Sequence, residues 1–333
     1  MAIDVHAHYL PASLLERLRQ AGSDVGVQVC EHTPGCPCLR FDDGLQTRPF
    51  FPRLVEAPQQ RMDRMAGTGI ERQILSGWTD IFGFGLEPAK GVAWHRLMNE
   101  TLAEFCQQHA ARFSALVSGY LPDAASAARE LERGVRELGA VGGVATCNVN
   151  GINLGELPLD EYWAAAVELD VPVFLHPMQP EPPVRVKRYA LNQVAQYTFD
   201  TTLAVGSLIM SGVLDRHPGL RLILSHGGGA VLPLMGRFDC MYERSDHKAT
   251  GIAAAQPPSA YRRRLYYDSI VHDPVALRHL VDVAGADRVV IGSDDSFPPA
   301  DYDPMQSLRQ AGLDAQTIDQ IAQHNPRALF RLP

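Results

Sequence analysis

The feature that most constrains this chain is a recurrence. Eight short runs of apolar and β-branched residues, at 2–8, 72–76, 113–121, 140–148, 171–177, 221–227, 265–270 and 288–294, alternate with longer stretches of helical spacing. Before the third run, Leu97, Leu102, Phe105 and Cys106 fall on one helical face, and 124–138 and 160–168 do the same before the fourth and fifth. Strands alternating with helices predict right-handed βαβ units and a parallel sheet. Eight of them fit a closed α/β (β/α)8 TIM barrel better than an open doubly wound sheet. No GxGxxG opens a helix after the first run, so the dinucleotide-binding alternative lacks its fingerprint.

At 333 residues, 46% hydrophobic and 20% charged, the chain has enough apolar material for one large barrel domain spanning 1–333. Two segments break the repeat. Residues 24–58, rich in Pro, Gly and Cys, predict an insertion between the first strand and the helix before the second. Residues 178–192, MQPEPPVRVKRYALN, are too proline-rich and basic for a standard helix. Both are expected at the barrel's C-terminal face, where loops build sites.

The formal charge of −8 excludes nucleic acid and anionic membranes as partners, without bearing on a small acidic substrate. The chain starts on a strand and has no apolar run long enough to span a bilayer, so a cytoplasmic location is expected. The six cysteines are too dispersed for a disulfide scaffold. Cys30, His32, Cys36 and Cys38 cluster in EHTPGCPCLRFDDG, which reads as a loop with free thiols; a second zinc site is the competing reading.

The polar residues that end the strands carry the chemistry. His6 and His8 lie two apart, so both imidazoles project from one face of the first strand. A histidine pair can merely decorate a strand end. Here, however, His176 ends the fifth run in VPVFLHP, His226 the sixth in LRLILSHGGG, and Asp294 the eighth in RVVIGSDD. Imidazole and carboxylate donors gathered at the C-terminal ends of barrel strands suit a divalent metal with a position left open. Zinc and manganese both fit such a set.

With HxHxxP (His6, His8, Pro11), the HP pair at His176, SHGGG and GSD in this order, the chain resembles the amidohydrolase-2 branch of the amidohydrolase superfamily. The likeness extends through SGVLDRHPGLRLILSHGGGAVLPLMGR and YYDSIVHDP, and is best to the non-oxidative decarboxylases typified by 2-amino-3-carboxymuconate-6-semialdehyde decarboxylase. The resemblance implies one divalent metal, usually zinc, on His6, His8, His176 and Asp294, with Asp294 and His226 catalytic and His226 moving protons. It implies that Arg61 and Arg237 bind substrate carboxylates, Arg237 reaching across a homodimer. Val231, Leu232, Leu234 and Met235 beside Arg237 would supply the apolar part of that interface. Departures are Met178 after the HP pair and Asp295-Ser296 after Asp294; a second carboxylate there would oppose an anionic substrate if it faced the site.

The expected activity is therefore decarboxylation of a small unsaturated or aromatic carboxylic acid. The alternative is hydrolysis of an ester, lactone or amide by metal-bound hydroxide, and the ligand set does not separate the two. A scaffold that has lost turnover is the non-enzymatic alternative, and the complete donor set weighs against it.

Overall fold

The computed structural model describes residues 2–33 and 35–332. All eight expected runs are strands: β1 (Ala2–His8), β2 (Ile70–Ser76), β3 (Phe113–Ser118), β4 (Gly142–Thr146), β5 (Val173–His176), β6 (Leu222–Leu224), β7 (Leu265–Asp268) and β8 (Val289–Val290). They pair in parallel in that order as one eight-stranded sheet. Beyond β8 the chain returns to β1: Val5 N donates to Ile291 O at 2.9 Å and Asp294 N to His6 O at 2.7 Å. This last bond both closes the barrel and fixes the height of Asp294 against the first strand.

From β3 onward the strands are shorter than their apolar runs, because pairing stops where the chain turns outward at the barrel mouth. Their residues are buried on both faces, as an all-parallel sheet covered by helices requires. The helices follow from local signals. Asp123 accepts from Ser126 N and starts Ala124–Arg136, which buries Ala127, Glu130, Leu131 and Gly134 along one stripe. Glu87 caps Pro88–Gln108, whose buried stripe includes Trp94, Met98, Leu102 and Phe105. The expected helix at 160–168 is Asp160–Glu168. No helix among the described residues is long and apolar enough to cross a membrane.

The segment read as a loop with free thiols is ordered differently. Val27–Thr33 and Cys36–Phe41 form an antiparallel hairpin in which Cys30 faces Cys38, and these two are joined as a disulfide. Cys36 is free, and the side chain of His32 lies outside the described residues. Thus Cys30 and Cys38 are engaged with one another rather than with a metal. The alternation of VQVCEHT and CPCLRF is a strand pattern masked in the sequence by Pro37 and Gly35. In 178–192 a short 3-10 turn at Val184–Val186 interrupts irregular chain before the long helix Tyr197–Met210.

Candidate functional site

Register sets the floor of the site. His8 pairs with Ser76 and His176 with Thr146, so both imidazoles stand at the level where the strands end. His6 lies two residues lower on the same face of β1. Asp294 and His226 come from the loops after β8 and β6. Both hold left-handed backbone, with φ of 53° and 55°, a conformation uncommon for non-glycine residues. The glycines after His226 make its turn possible. A Cβ on Gly229 would lie 2.0 Å from Thr198 O, and one on Gly227 2.3 Å from a Val271 methyl.

Five side chains meet there. His6 Nε2 and His8 Nε2 stand 3.5 and 3.4 Å from Asp294 Oδ1, and His226 Nε2 stands 3.6 Å from Asp294 Oδ2. Donor atoms of His6, His176, His226 and Asp294 all lie within 4.8 Å of one another. The rings of His8 and His176 pack edge to face, 4.7 Å between centroids.

Hydrogen bonding around the cluster decides which nitrogens are free. His6 Nδ1 donates to Asp268 Oδ2 at 2.6 Å, His8 Nδ1 to Gly77 O at 3.1 Å and His176 Nδ1 to Pro177 O at 2.8 Å. Since all three acceptors take the Nδ1 proton, each Nε2 carries its lone pair toward the centre. His6 Nε2, His8 Nε2, His176 Nε2 and Asp294 Oδ1 are all buried without a hydrogen-bond partner. Buried polar atoms are rarely left so, and three nitrogens plus a carboxylate oxygen converging on one point fit a divalent cation.

The electrostatics favour the neutral form at two of the three imidazoles. Burial takes the His8 imidazole down to about 4 and that of His176 well below its ordinary range, so both are neutral ligands in waiting. Burial also disfavours charged His6, but Asp294 and Asp268 outweigh it and raise its pKa. Burial opposes ionised Asp294 too, and His6, His226 and His8 overcome it and hold the carboxyl below its usual value.

Above the cluster opens a cavity of about 600 Å³ lined by His176, His226 and Asp294 at its floor. Trp78, Phe297, Tyr197, Ile270 and Val271 form apolar walls, the Trp78 and Phe297 rings lying 5.9 Å apart. Among the described residues, Arg48 is the one arginine or lysine on its lining. Its guanidinium rests on the faces of Phe51 and Trp78, at 4.4 and 5.4 Å.

Arg61 and Arg237 are not brought to this cavity. Arg61 is fully buried beneath it, donating to His8 O at 2.9 Å, Arg53 O at 3.1 Å, Gln73 Oε1 at 2.9 Å and Ser296 Oγ at 3.0 Å, with Glu56 at 3.2 Å. Its donors tie the end of β1 to the loop that carries Asp294. Arg237 is exposed on the helix Val231–Arg244. Of the apolar group beside it, Val231 and Met235 are buried in the chain's own core, while Leu232 and Leu234 are partly exposed. Asp295 turns away from the cavity onto Arg53 (3.0 Å) and Arg64 (2.6 Å), so it does not oppose an anionic ligand.

Sequence reasoning missed Asp268, Asp4, Thr79 and Arg48. Asp268 ends β7, and the strand-end criterion that found His176 would have found it. Asp4 braces from below, accepting from His6 N, Ser293 and Gln73, with burial raising its carboxyl to about 6. Thr79 adds a second contact to His176 Nδ1 at 3.0 Å. Arg48 sits in the insertion, where no periodicity marks it.

A family model described as Amidohydrolase matches residues 3–332. The chain belongs to the amidohydrolase family. Among curated relatives, it is 28% identical to the 2-amino-3-carboxymuconate-6-semialdehyde decarboxylase of Dictyostelium discoideum over 308 residues, covering 92% of this chain and 85% of that one. It is also 28% identical to a gamma-resorcylate decarboxylase of Rhizobium sp. (strain MTP-10005), covering 84% of this chain and 89% of the relative. Among solved structures, a dihydroxybenzoic acid decarboxylase from Polaromonas sp. JS666, with bound manganese and 2-nitroresorcinol, superposes with a TM-score of 0.77 at 22% identity. That match covers 99% of this chain and 97% of the other.

Proposed function

We propose that this amidohydrolase-family chain is a metal-dependent decarboxylase that removes CO₂ from a small aromatic or unsaturated carboxylic acid. The observation that carries the reading is the set of four converging, buried, unpartnered donor atoms under an aromatic-walled cavity. His6, His8, His176 and Asp294 hold one divalent ion. When bound, the ion polarises and orients a carboxylate as a Lewis acid. Manganese is favoured by the metal found in the Polaromonas decarboxylase and zinc by the three imidazoles; elemental analysis of the purified protein separates them.

The remaining steps belong to the chain's own residues. Trp78 and Phe297 hold a planar acid in the cavity and keep water from its ring. Arg48 binds an anionic or phenolic oxygen of the acid, the role expected of Arg61, while Arg61 positions His8. His226, at the floor beside Asp294, delivers a proton to the carbon that loses the carboxylate. The C–C electron pair stays on that carbon and takes up the proton, so no redox partner is needed.

We extend the reading to a homodimer. Phe199, Leu203 and Met241, each about half exposed on Tyr197–Met210 and Val231–Arg244, offer an apolar face next to exposed Arg237. Arg237 then serves the partner's cavity.

The test is a screen of the metal-loaded protein for CO₂ release from dihydroxybenzoates, 5-carboxyvanillate and muconate-type acids, beside ester, lactone and amide hydrolysis. CO₂ release abolished by metal removal is expected. Hydrolysis without CO₂ release would instead establish the alternative, which the curated relatives named above do not favour.

A further inference from the structure

We propose that the Cys30–Cys38 disulfide positions Arg48 over the cavity, so that affinity for an anionic acid follows the oxidation state of this cysteine pair. The inference rests on the reading of Arg48 as the residue that binds the acid.

One continuous hydrogen-bonded ribbon joins the disulfide to Arg48. Cys30 and Cys38 face each other in the register of the hairpin Val27–Thr33/Cys36–Phe41, and their sulfurs are joined. The other edge of Cys36–Phe41 holds the run that carries Arg48. Thr47 N donates to Leu39 O at 2.9 Å, Leu39 N donates to Thr47 Oγ1 at 2.9 Å, and Phe50 N donates to Pro37 O at 2.9 Å. Phe41 N donates to Leu45 O at 2.8 Å, and Arg40 bridges Gln46. The residues before and after Cys38 are therefore the ones that grip the chain on either side of Arg48.

From there Arg48 reaches inward. Its guanidinium lies over Phe51 and Trp78, the Phe51 ring meets Phe297 at 5.3 Å, and Trp78 and Phe297 are cavity walls. The metal cluster hangs on different supports, the barrel strand ends and Asp268. The ribbon is a small sheet outside the barrel, and a cross-link between its facing strands restricts their register. Cleaving it frees Pro37 and Leu39 to shift and Arg48 to swing to solvent. The cluster that holds the metal is untouched.

The chemistry is thiol–disulfide exchange. A dithiol such as dithiothreitol supplies two electrons and two protons; Cys30 and Cys38 become thiols and the reagent becomes a cyclic disulfide.

The experiment uses metal-loaded protein in oxidised form, after dithiothreitol and desalting, and as the Cys30→Ser/Cys38→Ser double variant. Alkylation mass spectrometry counts thiols, elemental analysis follows metal, and calorimetry measures binding of 2,6-dihydroxybenzoate, or of another screened acid in its place, alongside KM and kcat for CO₂ release from it. Arg48→Ala is expected to weaken binding by about 10–100-fold, the loss of a charge-assisted hydrogen bond. Reduction and the double serine variant should raise KM and Kd by part of that factor, with kcat and metal content unchanged. In Arg48→Ala, reduction should have no further effect. A lowered Tm with unchanged KM and Kd makes the disulfide a stabiliser only and overturns the inference. So does sensitivity to reduction that survives in Arg48→Ala, or a full thiol count in the oxidised protein. If Arg48→Ala itself leaves binding unchanged, the reading of Arg48 fails first. The acid used is one that the screen above shows to be decarboxylated; if the oxidised wild-type protein turns over none of those screened, the functional reading falls, and this inference with it.

Discussion

Replacing Asp268 by asparagine tests the site at a residue that would touch neither metal nor substrate. Asp268 is fully buried and accepts four hydrogen bonds: Oδ2 from His6 Nδ1 (2.6 Å) and His226 N (2.9 Å), Oδ1 from Gly227 N (2.7 Å) and Ile270 N (3.1 Å). Asparagine keeps the shape and has one accepting oxygen. If that oxygen takes the Oδ1 place, the amide NH₂ confronts His6 Nδ1 and His226 N–H. The His6 proton must then move to Nε2, the nitrogen that faces Asp294. If the oxygen takes the Oδ2 place, the His6 tautomer survives, but Gly227 and Ile270 N–H point at an NH₂. Each buried donor so stranded costs about 1–3 kcal/mol, and the turn that carries His226 loosens. Either way metal affinity falls. Losses of about 10–100-fold are typical when a partner behind a ligating histidine is removed, equivalent to roughly 1.4–2.7 kcal/mol. Titrating the metal-free protein against a fluorescent chelator measures the change directly. An Asp268→Asn protein with unaltered metal affinity and turnover would refute the tautomer argument on which the ligand assignment depends.

Other expectations follow from the same geometry. His6→Ala and Asp294→Ala should each abolish stoichiometric metal and CO₂ release while circular dichroism shows a folded barrel; retained stoichiometric metal would contradict the donor set. His226→Asn should keep the metal and lose about 10²–10⁴-fold in rate, and full activity would remove it from the proton path. Burial raises the Asp200 carboxyl to about 6, above its unfolded value, so ionising it opposes folding. That cost is absent below about pH 4, grows as pH rises through 6, and reaches on the order of 2–3 kcal/mol above it. Asp200→Asn should accordingly be more stable than the parent at pH 8 and not at pH 4 in denaturant titrations; a pH-independent difference would contradict it. Sedimentation with activity measured on dilution tests the dimer, and a fully active monomer would leave Arg237 without a role at a partner's site.

The barrel was legible because eight apolar runs alternate with stretches of helical spacing, and the two periodicities agree with each other. The candidate donors His6, His8, His176 and Asp294 were legible because each falls at or near the end of an apolar run, and parallel pairing brings those ends together. What stayed hidden is instructive. Asp268 looks like the close of an ordinary strand until the register places it behind His6. The hairpin at residues 27–41 carries strand alternation, but proline and cysteine at its turn outweighed that signal locally. Arg61 lies on the amphipathic helix Pro58–Gly67, yet no helical pattern states that its one buried arginine would reach back to His8 O. The left-handed backbone at His226 and Asp294 breaks local preference, and such breaks concentrate where a site needs them.

The candidate site therefore has two layers whose supports differ in the main, joined where Arg61 donates to Arg53 O of the insertion. The metal layer stands on strand ends, where Asp4, Gln73, Arg61 and Ser296 knit β1, β2 and the loop after β8 into one buried lattice below the donors. Changes there propagate to every donor at once, so this layer tolerates little variation. The proposed substrate wall draws on the insertion through Arg48, which is carried by a ribbon that contributes no candidate ligand. Phe297 links the layers, three residues after Asp294 and packed on both His8 and Phe51. Altering residues 45–51 should consequently change which acid binds while leaving the metal site intact, whereas any change at Phe297 acts on both.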